Sequence, residues 1–187
     1  MSVLDADELL HLGLHATNNN DPEKALEYLK SCLELEPQRA DAMYLLGATY
    51  AQLGMYDRAA ETLAQTIALN PRQHTAVFQL GLLQLTRGDV EAARRTWSAL
   101  DELGGDHYLY LFKSAMLALV ADDFSECIAL IERGIGLNAV NEALNNDMRR
   151  VRESAETARA GETAATDNAA VGHLVLSGYQ QASEKKH

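Results

Sequence analysis

Two histidines, His11 and His15, stand four residues apart in a stretch with helical periodicity. That spacing lets two imidazoles on one helix face share a metal ion. Asp7 and Glu8 add carboxylates close by, but no HExxH arrangement and no cysteine cluster completes a set. The two rings therefore read as packing or partly exposed histidines, and no metal or other cofactor is expected. Cys32 and Cys127 sit in apolar helical contexts, with none of the electropositive surroundings that activate a thiol. Nothing in their spacing pairs them, so they read as buried free thiols of a reducing compartment. Asp122-Asp123 precedes Phe124 at a turn and reads as a helix cap rather than an acid–base pair. Gly104-Gly105 lacks the lysine that follows in a phosphate-binding loop. These residues assemble no catalytic constellation, and an enzyme is not expected.

The composition narrows the partners. The 187 residues carry a formal net charge of −11, which repels the phosphates of nucleic acid and anionic membrane surfaces. The basic cluster Arg149, Arg150 and Arg152 is too small to reverse that sign. The opening MSVLDADELL lacks a basic start and carries Asp5, Asp7 and Glu8, unlike a signal peptide. No apolar run approaches the ~20 residues of a membrane helix. A cytoplasmic protein is the expectation.

The elements that carry these residues are legible from Leu45 to Pro71, where two helical patterns flank a turn at Leu53-Gly54-Met55 and stop at Asn70-Pro71. One such hairpin cannot bury its own apolar face and needs copies beside it. A constant step along the chain, the one that separates Pro37 from Pro71, finds them. Small residues align at Gly13, Gly47, Gly81 and Ala115, then at Ala25, Ala59, Ala93 and Cys127. Large apolar residues align at Leu9, Met43, Val77 and Leu111, then at Leu29, Leu63, Trp97 and Ile131. Repeat ends fall at Pro37, Pro71, Gly105 and Ala139.

This period and small/large pattern resemble the tetratricopeptide repeat, whose unit is about 34 residues long. The resemblance implies an all-α fold, a right-handed superhelix of about four helix–turn–helix units. The units span residues 6–39, 40–73, 74–107 and 108–141, with repeat-like sequence over 6–139. The last unit is degenerate: Ser114, Gly134 and Ala139 depart from the pattern. Residues 140–160 read as a capping helix, with Leu144, Met148, Val151 and Ala155 inward and Asn145, Asn146, Arg149, Arg152 and Glu153 outward. Residues 161–187 read as a small, polar linker followed by an apolar tail, VGHLVLSGYQQ, and a charged end.

The resemblance also implies a function, since first helices of such repeats line a concave groove that binds peptides. Matching positions here are Leu10 and Leu14, then Tyr44, Ala48 and Gln52, then Phe78, Leu82 and Leu85, then Phe112, Met116 and Leu119. Tyr44, Phe78 and Phe112 recur once per repeat and read as an aromatic ladder, with Asp7, Asp41 and Gln52 adding polar orientation. The Lys and Arg of a chaperone-binding carboxylate clamp are missing: matching positions hold Leu10, Leu14, Leu45, Thr75 and Gln79. The expected role is a protein-interaction scaffold for an apolar peptide or helix. The alternative is a dedicated chaperone, similar in size and acidity to those of secretion translocators. Leu174, Val175, Leu176 and Tyr179 of the tail form a candidate ligand for the groove, in the same chain or in a homodimer.

Overall fold

A computed structural model describes residues 4–161, and among these every regular element is helical. The chain divides into two compact units, with the boundary between Leu83 and Gln84. In the first, α1 (Ala6–Asn18), α2 (Pro22–Leu35), α3 (Ala40–Gln52) and α4 (Tyr56–Leu69) lead into α5 (His74–Thr86), which runs across the boundary. The second contains α6 (Val90–Trp97), a 3₁₀ segment (Ser98–Leu103), α7 (Tyr108–Val120), α8 (Phe124–Leu137) and α9 (Glu142–Gly161).

Within each unit, consecutive helices pair. In the first unit α1 packs on α2, α2 on α3, and α3 on α4. In the second, α7 packs on α8 and α8 on α9. Aspartate starts the second helix of three pairs: the Asp21, Asp89 and Asp123 carboxylates accept from the amides of Lys24, Ala92 and Glu126. This satisfies an orphan donor in each first turn. Asp5 and Glu8 form a reciprocal capping box at α1, at 2.8 and 2.9 Å. The turns before α2, α4, α6 and α8 each place one residue in the left-handed region: Asn20, Gly54, Gly88 and Asp122. Each lies one full repeat step from the next. Glycine reaches that conformation freely, and Asn and Asp are the side chains that tolerate it best.

Close approach sets the hairpin interiors of the first unit. A methyl group built on Gly13 would lie 2.8 Å from Leu29, and one on Gly47 would lie 3.0 Å from Leu63. Leu29 and Leu63 are fully buried, as are Ala25 and Ala59 one turn earlier in the same helices. The fourth repeat solves the same problem differently. Its first helix carries Ala115 where the others carry glycine, and the close approach moves to Gly134 of α8, where any side chain would run into the ring of Phe112. The residue that departs from the pattern is the socket for an aromatic ring.

Helix α9 buries Leu144, Met148, Val151 and Ala155. Asn145 is also buried, which corrects its reading as part of the solvated face. Its amide donates to the Asn138 carbonyl at 2.9 Å and to Glu142, while its oxygen accepts from the Asn138 amide at 2.8 Å. The two asparagines satisfy each other, which is what allows both to leave water. Arg149 reaches back to Glu142 at 2.7 Å, and Arg152 lies between Glu132 and Glu156. The basic cluster is thus tied into neighbouring carboxylates.

Candidate functional site: the first-helix rows

The candidate row of the first unit is open in part. Leu10, Tyr44 and Ala48 are half-buried, Gln52 is exposed, and Leu14 is 41% exposed. A helical leucine with that much surface in water, beside other partly open apolar residues, is a patch that a partner can cover. α1 and α3, which carry these residues, are in contact.

At the amino ends of these two helices stands Arg39, the residue that precedes α3. Its guanidinium binds Asp7 at 2.6 Å, Asp41 at 3.1 Å and Glu36 at 3.2 Å. The hydrogen bond to Asp7 is the largest influence raising the arginine pKa above its ordinary value. Asp7 and Asp41, expected to orient a partner, are therefore engaged within the protein. Reading the sequence missed Arg39. The available signal was one cation next to carboxylates that the repeat brings together: Asp7 and Asp41 occupy the same position of successive repeats.

The rows of α5 and α7 differ. Phe78, Leu82 and Leu85 are buried, with Phe78 at 0% exposure. In the second unit Phe112, Met116 and Leu119 are all at 0%. For Phe112 the cause is visible. Its ring lies against Gly134 of α8 and meets Tyr108 edge-on, with centroids 6.0 Å apart. Phe112 is part of the packing between α7 and α8, and this corrects its reading as a rung of an open aromatic ladder. Phe78 and the leucines beside it are likewise core residues by exposure. Tyr44 is the one aromatic of the three with accessible surface. The tail residues Leu174, Val175, Leu176 and Tyr179 lie outside the described residues.

The remaining chemistry-bearing side chains have local partners. His11 Nδ1 lies 2.7 Å from the Asp7 carbonyl, and His15 Nε2 lies 2.9 Å from the Asn19 amide. Among the described residues no group of three or more His, Cys, Asp and Glu side chains could hold a metal ion. Cys32 is buried and its thiol donates to the Ala6 carbonyl at 3.3 Å. Burial pushes the Cys127 thiol up to about 12, with Asp123 adding to the rise. At pH 8 its thiolate fraction is then on the order of one in ten thousand, and only the thiolate reacts. In the native protein at pH 8, Cys127 should resist an aromatic disulfide reagent, and it should react promptly in denaturant. A rapid native reaction assigned to Cys127 by mass spectrometry would contradict the burial.

Helix–turn–helix hairpins recurring at a constant period, with small residues at the crossing points, define a helical-repeat protein. Residues 16–80 match the family profile described as tetratricopeptide repeat, about a third of the chain. Solved structures share the fold. One is a thermophilic tetratricopeptide protein, TTC0263 of Thermus thermophilus, with a TM-score of 0.65 and 19% identity over 95% of this chain and 98% of that one. Another is MamA, residues 41 to the end, of Desulfovibrio magneticus RS-1, with a TM-score of 0.60 and 15% identity over 97% and 96%. A third is YrrB, described as having an unusual peptide-binding site, with a TM-score of 0.57 and 16% identity over 97% and 88%. At these identities the likeness is one of fold. Among curated proteins none matches the sequence. No described helix is long and apolar enough to cross a membrane.

Proposed function

We propose that the chain is a non-catalytic interaction scaffold that binds an apolar peptide or helix of a protein partner. The open apolar row of the first unit, Leu10, Leu14, Tyr44 and Ala48 beside Gln52, carries this reading. Binding draws on burial of Leu14 and the Tyr44 ring. Arg39 offsets part of the negative charge of Asp7 and Asp41, so the end of the row is less hostile to an apolar segment than its carboxylates alone would make it. The peptide-binding description of YrrB supports the same role by analogy of fold.

The chain's own tail, with Leu174, Leu176 and Tyr179, is the ligand we assign to this row, acting within one chain or on a second copy and competing with the partner. The probe is a labelled synthetic peptide, VGHLVLSGYQQ, titrated into the full chain by fluorescence anisotropy. A Leu174→Ser, Leu176→Ser double variant of the full chain should bind it more tightly than the natural chain. Tyr44→Ala on that background should then weaken binding by about 1–3 kcal/mol. Absence of binding to the double variant, or an affinity indifferent to Tyr44→Ala and Leu14→Ala, would overturn the assignment.

A further inference from the structure

The second helix of the third repeat does not run its full length. It stops being α-helical at Trp97 and continues as a six-residue 3₁₀ segment, Ser98–Leu103, to a left-handed Gly104. The second helices of the other repeats are each 14 residues of unbroken α-helix. Runs of 3₁₀ beyond three or four residues are uncommon, because the hydrogen bonds are poorly aligned. Something must hold this one.

We infer that Lys113 of α7 sets this change of helix type. Its side chain is only 8% exposed. The ammonium donates to the Trp97 carbonyl at 3.3 Å and to the Asp101 carboxylate, and it lies 4.7 Å from the centre of the Tyr110 ring. In a continuous α-helix the Trp97 carbonyl would accept from the Asp101 amide, four residues on. The lysine donates to that carbonyl and grips the side chain of the same Asp101. A side chain inserted into the i→i−4 ladder is a known cause of helix breaks.

The repeat alignment shows that the arrangement is specific to this joint. Asp101 aligns with Leu33, Ile67 and Ile135, and Lys113 aligns with Leu45 and Gln79. One joint of the array thus carries an opposite-charge pair where its neighbours carry Leu33 with Leu45 and Ile67 with Gln79. A second clamp adjoins it: Arg133 of α8 donates to the Gly105 carbonyl at 3.2 Å and to Asp106 at 2.6 Å. Cations from both helices of the fourth repeat hold the end of the third. Lys113 is a positioning residue: its charge selects the 3₁₀ conformation of the segment it grips.

Backbone chemical shifts and amide hydrogen exchange of residues 97–104 test this in the full chain, with Lys113→Met as the first variant. The expected result is a move of the Ser98–Leu103 carbon shifts away from their natural values, with markedly faster exchange or a new α-helical pattern. Residues of α8 far from the joint should stay unchanged. Lys113→Arg, which keeps the charge and donors, should restore the natural shifts. If Lys113→Met does not fold, Asp101→Asn decides the matter, since Asp101 is 60% exposed and its removal spares the core. Natural shifts for residues 98–103 in a folded Lys113→Met, or in Asp101→Asn where only that variant folds, would overturn the inference.

Discussion

Phe112→Ala should lower the unfolding free energy by about 3–5 kcal/mol, the range for truncating a buried aromatic side chain. The ring is fully buried, fills the space left by Gly134, and meets Tyr108 edge-on, so its loss leaves a cavity between α7 and α8. As an anchor on an open surface the same change would move stability by no more than about 0.5 kcal/mol. Urea unfolding followed by circular dichroism separates the two. Approaching the contact from the other side, Gly134→Val should cost about 1–3 kcal/mol, because the ring must leave its place. Near-natural midpoints for both variants would return Phe112 to the surface.

Trp97→Ala is the other large effect, also about 3–5 kcal/mol. Trp97 is the single tryptophan, fully buried, at the position filled by Leu29 and Leu63 in the first two repeats. Trp97→Leu should cost less than Trp97→Ala, since leucine is the side chain those repeats use there. The ordering is as informative as the size. If alanine and leucine were equally tolerated, the third repeat's second helix would not be packed through this residue. Circular dichroism is the readout in both cases, because the variants remove the fluorophore.

The repeats were legible because their phase is written in residues with few alternatives. A left-handed turn residue recurs as Asn20, Gly54, Gly88 and Asp122, and a small residue recurs at Ala25, Ala59, Ala93 and Cys127. The all-α class follows from those positions together with the helical pattern. The outcome at the candidate site was less legible, because the row at Tyr44, Phe78 and Phe112 has one sequence pattern and two fates. Tyr44 keeps accessible surface, while Phe112 turns into the hairpin interior because Gly134 makes room. That decision lies in the following helix, at a residue that period-matching treats as decay. Lys113 was hidden for a similar reason. It interrupts the apolar run LYLFKSAML, and nothing local says whether its ammonium points to water or to a carbonyl. Asn145 was read outward on polarity alone, although a polar side chain can turn inward when another amide meets it.

In the third repeat, even spacing in sequence and even spacing along the fold part company. All four repeats are spelled with the same number of residues, but six residues of the third are wound more tightly than an α-helix. A 3₁₀ segment rises about 2.0 Å per residue against about 1.5 Å, so those six travel about 3 Å further along the axis, with about a third of a turn of extra winding. The stretch of the second unit that leads to α7 is therefore longer and more tightly wound than six residues of α-helix would be. A single lysine inside an apolar helix lets a uniform sequence period encode two kinds of helix.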